Sequence, residues 1–112
     1  MKRYEMVKSH DEFNEIIQKG SRVSGKYIIV FRLQKDFEKP NFGIAVGKKC
    51  GNAVTRNKLK RQFRNIVDNN RFLFKNNNNY IIMIKKEANV VDYATLEKEL
   101  QKLLKEDWLW KK

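Results

Sequence analysis

Apolar residues recur at helical spacing in three segments of the chain, which predicts three helices. The first follows a capping box at Ser9–Glu12 and covers residues 10–19. The second runs from about Val54 to Asp68, and the third from a capping Asp92 to about Glu106. Their apolar stripes are formed by Phe13, Ile16 and Ile17, by Leu59, Phe63, Ile66 and Val67, and by Leu96, Leu100, Leu103 and Leu104.

Four further segments are rich in β-branched and aromatic residues and predict strands. Tyr27–Leu33 and Phe42–Gly47 are clear, and Arg22–Ser24 adds a shorter one. Tyr80–Ile84 is almost continuously apolar, which is typical of a central strand covered on both faces. Alternation within the first long strand places Tyr27, Ile29, Phe31 and Leu33 on one face and Ile28, Val30 and Arg32 on the other.

Polar and glycine-containing segments separate these elements. Gln34–Asn41 contains the single proline and reads as a turn, and Asn76–Asn79 reads as a polar loop. Cys50–Asn52 reads as a loop in which Gly51 and Asn52 tolerate positive φ. The order α-β-β-β-α-β-α predicts an α+β fold, a two-layer sandwich of helices against one sheet, built as one domain over residues 1–112.

The charge of the chain points to a polyanionic partner. The net charge is +12 and the pI about 9.9, while 41% of the residues are hydrophobic, so the chain is more than a basic tail. Lys and Arg residues are concentrated in residues 48–64, and no Asp or Glu lies between Glu38 and Asp68. Two plainer explanations remain open, a basic protein without such a partner and a solvated face held by surface ion pairs.

Several classes of site are disfavoured by composition. Cys50 is the only cysteine and His10 the only histidine, which excludes an internal disulfide, a thiol cluster for zinc and a multi-histidine metal site. Asp11 and Glu12 beside His10 are explained by capping and solvation, so no catalytic set emerges. No apolar run approaches the ~18 residues of a membrane span, and no signal-peptide core follows Met1, so we expect a cytoplasmic protein with no membrane partner.

The basic segment reads KKCGNAVTRNKLKRQFR and resembles the signature of the bacterial ribonuclease P protein subunit. That signature runs Lys-Lys-x-Gly-Asn-Ala-Val-x-Arg-Asn-x-x-Lys-Arg-x-x-Arg, and the length and element order of the chain agree with the family. All its defined positions are matched, by Lys48, Lys49, Gly51, Asn52, Ala53, Val54, Arg56, Asn57, Lys60, Arg61 and Arg64.

The resemblance implies a fold and a function. The fold is of the ribosomal protein S5 domain 2-like kind, with a left-handed β-α-β crossover around the basic helix. The function is that of the protein subunit of ribonuclease P, an endoribonuclease that removes the 5′ leader of precursor tRNA. In this family the RNA subunit is the catalyst and holds most of the Mg²⁺, and there is no organic cofactor. The implied partners are the catalytic RNA, bound one to one, and precursor tRNA.

The residue types of the basic segment suit RNA on their own account. The planar guanidinium of Arg can hold two phosphate oxygens at once, and the ammonium of Lys acts as a flexible point charge. The Asn side chain can both donate and accept hydrogen bonds, so it can bind a sugar or a base edge. The start of a helix adds positive potential. The predicted RNA-binding residues are Lys48, Lys49, Asn52, Arg56, Asn57, Lys60, Arg61 and Arg64.

A second site involves aromatic residues. From the sequence alone, the simpler interpretation of Phe13 and Phe31 is that both are core residues. The alternative is that their rings are exposed and stack against the bases of a single strand. The resemblance implies otherwise, because the family has a cleft between its first helix and the sheet that holds the single-stranded leader. It assigns Phe13, Ile17, Ile29 and Phe31 to that cleft. Family members often have an aromatic where Ile17 stands, a tyrosine where Phe31 stands, and serines at Ala45 and Gly47.

Two other classes of function remain open. An RNA-binding module outside any enzyme, such as a ribosomal protein, would bind RNA without enhancing tRNA processing. A DNA-binding regulator would read the major groove with the basic helix, but no dimerisation segment is visible to set a half-site spacing.

Overall fold

A computed structural model describes residues 9–35, 41–75 and 77–105 of the protein. These residues form three helices and one four-stranded sheet. The helices are α1 (His10–Lys19), α2 (Ala53–Asn69) and α3 (Tyr93–Lys105), and the strands are β1 (Ser21–Ser24), β2 (Ile28–Gln34), β3 (Asn41–Val46) and β4 (Asn78–Ile84). The predicted order of elements is confirmed.

The strands lie in the order β1-β2-β4-β3, so β4 is central, as its apolar sequence predicted. It pairs antiparallel with β2, from Ile28↔Ile84 to Gln34↔Asn78, and parallel with β3. Because β3 and β4 are parallel neighbours, α2 is the crossover helix between them. The left hand of that crossover stays an expectation from the resemblance.

The alternating residues of the sheet supply two apolar clusters. On one face Ile28, Val30, Ile82 and Ile84 pack beneath α2 and α3. On the other face Phe31 and Ile81 pack against Ile16 of α1. The α+β class is therefore confirmed, and α1 adds a smaller layer on the face opposite the main core.

The helix caps follow the sequence closely. The Glu12 amide donates to Ser9 Oγ at 3.0 Å, and the Thr95 amide donates to Asp92 Oδ1 at 2.9 Å, as predicted for both starts. The Glu12 carboxylate accepts from Asn79 Nδ2 at 3.0 Å and so ties the start of α1 to the central strand.

The prediction of a polar loop over Asn76–Asn79 is wrong at its second half. Asn78 and Asn79 are the first residues of β4, while Asn77 turns the chain with φ of 64° and Asn76 lies outside the described residues. Asparagine is a poor strand former, but pairing of both residues with β2, and of Asn79 also with β3, outweighs that weak preference.

The assignment of Tyr27 to the strand face of Ile29 is also wrong. Tyr27 precedes β2, its amide donates to the Glu99 carboxylate of α3 at 2.9 and 3.1 Å, and its ring packs with the larger core.

The predicted turn over Gln34–Asn41 starts and ends inside strands, and residues 36–40 lie outside the described part. The predicted end of α3 at Glu106 lies outside it as well.

Candidate nucleic-acid interface

The start of α2 is fixed by two residues of the basic segment. Gly51 has φ of +132°, a backbone conformation that other residues rarely adopt, and this confirms the prediction for that position. Asn52 has φ of −75°, so the prediction of positive φ there is wrong. Its side chain instead caps the helix, because Oδ1 accepts from the Thr55 amide at 3.0 Å. Asn52 itself is exposed at the helix start.

Helix α2 has one buried side and one basic side, as its spacing predicted. Leu59, Phe63, Ile66 and Val67 are buried beneath it. Arg56 and Lys60 border this stripe and are partly buried, so part of each side chain covers the core. The exposed members of the predicted set on this helix are Asn57, Arg61 and Arg64.

The packing of α2 directs its basic side toward the edge of the sheet. Thr55 and Gln62, on one flank, face the short turn at Lys86–Val90. Arg56 and Lys60 lie on the opposite flank. Because α2 packs on β3, one of the two edge strands, this flank lies along the edge of the sheet that β3 forms.

Lys48 and Lys49 lie in a single 3₁₀ turn that links β3 to α2. Both are exposed, whereas Cys50 in the same turn is 1% exposed and its thiol donates to the Ile84 carbonyl at 3.4 Å. The buried cysteine therefore anchors the turn to the end of β4 and keeps the two lysines outside. The eight predicted RNA-binding residues thus form one continuous feature, which we call the basic surface.

The basic surface is not neutralised from within the described residues. The single carboxylate of α2, Asp68, is engaged by Arg71 at 2.8 Å, and this bond contributes to holding the pKa of Asp68 below its ordinary value although partial burial raises it. No described carboxylate forms an ion pair with a cation of the basic surface. Arg56 Nε is buried without a hydrogen-bond partner.

The four predicted cleft residues come together between α1 and the sheet. Phe13, Ile17 and Ile29 are partly exposed, whereas Phe31 is 4% exposed and packs against Ile16 and Ile81. Phe31 therefore forms the floor of the cleft, and the rim belongs to the other three. Sequence reasoning missed Met83, which is partly exposed on the same face and which the alternation with Ile81 would have placed there.

The cleft and the basic surface are joined by strand β3. The Phe13 ring lies over Gly43, where a Cβ would come 3.1 Å from ring atom Cε2. Ala45 follows on the same face, β3 ends at Val46, and Gly47, where an added Cβ would meet nothing within 4 Å, leads to Lys48. Strand β3 therefore leads from the apolar cluster at Phe13 to the two lysines.

The described residues contain no group of three or more His, Cys, Asp or Glu side chains that could hold a metal ion. Among the same residues, no helix is both long and apolar enough to cross a membrane. The described residues offer here a row of cations, on α2 and the turn before it, beside a partly exposed apolar cluster.

Comparison with known proteins identifies the family. The family model described as Ribonuclease P matches residues 1–107. The ribonuclease P protein component of Mycoplasma mycoides is 39% identical over 107 residues, which cover 95% of this chain and 98% of that protein. The Bacillus cereus (strain AH187) protein of the same name is 34% identical over 102 residues, covering 89% and 88%.

Solved structures agree with these sequence matches. The ribonuclease P protein of Thermotoga maritima superposes with a TM-score of 0.82 at 28% identity, over 90% of this chain and 96% of that one. The Staphylococcus aureus protein superposes with a TM-score of 0.84 at 25% identity, over 94% and 96%. With a family model over nearly the whole length and relatives above 30% identity, the chain belongs to the ribonuclease P protein family.

Proposed function

We propose that this protein is the subunit that equips a catalytic RNA to remove the 5′ leader from precursor tRNA. The observation that carries the proposal is the junction of two surfaces along β3, an apolar cleft at Phe13 and an unneutralised basic surface beginning at Lys48. A leader needs both kinds of contact at once, bases against apolar side chains and phosphates against cations.

The basic surface binds the catalytic RNA and the substrate near the cleavage site. Arg61 and Arg64 are exposed and free to meet phosphates, and the partly exposed Arg56 and Lys60 lie beside them on α2. Each phosphate neutralised releases condensed counterions, so affinity falls steeply with salt. Lys48 and Lys49 meet the leader where it leaves the cleft.

The cleft holds the leader through the residues on its rim. Phe13 offers the accessible aromatic ring, and Ile17 and Ile29 widen the apolar surface around it. Phe31 supports them from below rather than stacking on a base, because so little of its ring is exposed. Stacking of one base on an aromatic ring contributes about 1–3 kcal/mol.

The hydrolytic chemistry belongs to the RNA in this proposal, and Mg²⁺ is its ion. The described residues offer no donor set that fits the ion, so no step is assigned to a protein-bound metal. The protein acts by lessening repulsion among phosphates, which lets the RNA fold and gather Mg²⁺ at lower concentration. We propose one protein per RNA, in the cytoplasm.

The leader contact is tested by comparing two substrates. The complex of this protein with a bacterial ribonuclease P RNA is titrated with precursor tRNA and with mature tRNA. We expect tighter binding of the precursor, and Phe13→Leu should reduce that preference by about tenfold, because the stacking plane is lost while apolar contact is kept. Equal affinity of the wild-type complex for both substrates would contradict the proposal.

A matched control is available on the same chain. Phe72 is 79% exposed in the turn after α2 and is not part of the cleft. Phe72→Leu removes an exposed aromatic ring without touching the proposed leader site. The preference for precursor tRNA should therefore be unchanged in this variant.

A further inference from the structure

The end of α2 is joined to α3 by polar side chains. On α3, Tyr93, Glu97 and Gln101 follow one another at intervals of four residues and therefore lie along one side of the helix. They meet Asn69 and Asn70, where α2 ends. We call these five side chains the polar seam.

Asn70 is the centre of the polar seam and is 2% exposed. Its Nδ2 donates to the Ile66 carbonyl at 2.7 Å and to Glu97 Oε2 at 2.9 Å, and its Oδ1 accepts from Gln101 Nε2 at 2.8 Å. Both amide hydrogens and the amide oxygen are therefore used. Turning the amide group over would place its oxygen against a carbonyl and a carboxylate, so the hydrogen bonds fix its orientation.

The residue that ends α2 is thus the residue that joins it to α3. The Asn70 backbone amide donates to the Val67 carbonyl at 3.1 Å as the last bond of the helix. Beside it, Asn69 Nδ2 donates to the Tyr93 hydroxyl at 3.3 Å. The position of the end of α2 is therefore tied, through side chains, to the position of α3.

The polar seam supplies a restraint that the apolar packing of α2 lacks. The buried stripe of α2 holds the helix against the sheet through contacts that are not directional. Hydrogen bonds weaken steeply when their angles change. The apolar stripe therefore determines which side of α2 is buried, whereas the seam determines the direction in which the end of the helix points.

The exposed arginines of α2 lie between two anchors. At the start, the Cys50 thiol holds the preceding turn to the Ile84 carbonyl, and at the end Asn70 holds α3. A tilt of ~10° about the anchored start would move the Cα of Arg64, ~17 Å along the axis, by about 3 Å. A charged hydrogen bond to a phosphate does not survive a shift of that size.

We propose that Asn70 is a positioning residue, which acts through α2 to place Arg61 and Arg64 against the phosphates of the RNA. Asn70 touches no RNA itself, because it is buried where α2 meets α3. The control of the direction of α2 by the polar seam stands without the proposed function, whereas its consequence for RNA binding rests on that function.

The direction of α2 is measured by residual dipolar couplings of the backbone amides in the ¹⁵N-labelled full-length chain, weakly aligned in a neutral gel. In Asn70→Ala the couplings of β2 and β4 should still fit the wild-type structure, whereas those of α2 should depart from it. Glu97→Gln keeps an oxygen that accepts from Asn70 and should leave all these couplings unchanged. A direction of α2 in Asn70→Ala that matches the wild type would overturn the proposal.

The consequence for binding is measured as affinity for a bacterial ribonuclease P RNA. Asn70→Ala should weaken it by about tenfold, the equivalent of one charged hydrogen bond, and Glu97→Gln should retain the wild-type affinity. A changed direction of α2 with full RNA affinity would overturn the positioning role.

A matched control removes a different bond of α3. Glu99→Ala deletes the acceptor of the Tyr27 amide and so destabilises the chain without touching the polar seam. Its affinity for the RNA should not fall. A loss as large as that of Asn70→Ala would show a general effect of stability and overturn the proposal.

A second variant keeps the test decisive if Asn70→Ala does not fold. Glu97→Ala/Gln101→Ala removes the two partners on α3, both partly buried, and leaves Asn70 its bond to Ile66. It should reproduce the departure of α2 and the weaker binding, and wild-type behaviour in both would overturn the proposal. A wild-type chain without affinity for the RNA would instead contradict the proposed function, and the couplings would still decide whether the seam directs α2.

Discussion

The ring of Phe13 lies over Gly43, so close that a Cβ on the glycine would meet ring atom Cε2 at 3.1 Å and Ile81 Cγ1 at 3.3 Å. This contact sets the height of α1 above the sheet at the mouth of the cleft. A larger residue at position 43 must push the ring outward or tilt the helix.

Gly43→Val should therefore disturb the cleft. Overpacking of this kind costs about 1–3 kcal/mol of unfolding free energy. Displacement of Phe13 should also lower the preference of the complex for precursor over mature tRNA. Urea unfolding and the two-substrate titration measure these effects, with Gly47→Ala as the control because nothing lies within 4 Å of its new Cβ. A variant that retains the full preference would remove the Phe13–Gly43 contact from leader binding.

The exposed arginines of α2 should determine the salt dependence of RNA binding. Arg61→Ala and Arg64→Ala should each weaken affinity and reduce the salt slope by about one, since each removes one phosphate contact. Lys102→Ala removes an equally exposed cation from α3 and should change neither quantity. Slopes that stay equal in all three variants would mean that α2 does not face phosphates.

Asn52 should act first as a helix cap. Its Oδ1 accepts from the Thr55 amide, so Asn52→Ala should lower the unfolding free energy by about 1 kcal/mol. Asn52→Ser restores a capping oxygen and should recover most of that stability and nearly all RNA affinity. If the serine variant is stable but binds RNA as poorly as the alanine variant, the side-chain amide contacts RNA directly.

Asp92 should give the protein an acid-dependent cap. Hydrogen bonds from the Thr95 hydroxyl and the Thr95 backbone amide hold the pKa of Asp92 below its ordinary value. The folded state therefore favours the charged carboxylate, whose contribution is complete above the unfolded pKa of about 3.9 and is lost as pH falls through the lower folded value. Asp92→Asn keeps the acceptor but cannot titrate.

Unfolding midpoints measured down to about pH 2.5 test this assignment. The stability advantage of the wild-type protein over Asp92→Asn should be constant near neutral pH and should shrink as pH falls below about 4. Parallel curves for the two proteins over the whole range would show that Asp92 contributes no pH dependence.

The sequence predicted those features that depend on local spacing and capping. The three apolar stripes, the caps at Ser9 and Asp92, and the central place of β4 all follow from the periodicity of the chain and its side-chain chemistry. The basic side of α2 was equally readable, because cations three and four residues apart must share a helix face.

Features that depend on distant contacts were not readable. Tyr27 alternates correctly for a strand, but its amide meets Glu99, which is 72 residues away. Asn78 and Asn79 look like loop residues until their partners on β2 and β3 are known. The burial of Phe31 against Ile16 and Ile81, by contrast, agrees with the simpler interpretation from the sequence alone, which took it as a core residue.

The most direct test of the central claim is cleavage of precursor tRNA by a bacterial ribonuclease P RNA at low Mg²⁺, with and without this protein. We predict cleavage at the mature 5′ end when both are present, and little when either is omitted. Tight binding of the RNA with no gain in cleavage would contradict the account and leave an RNA-binding module. Cleavage by the protein alone would contradict its assignment of the chemistry to RNA.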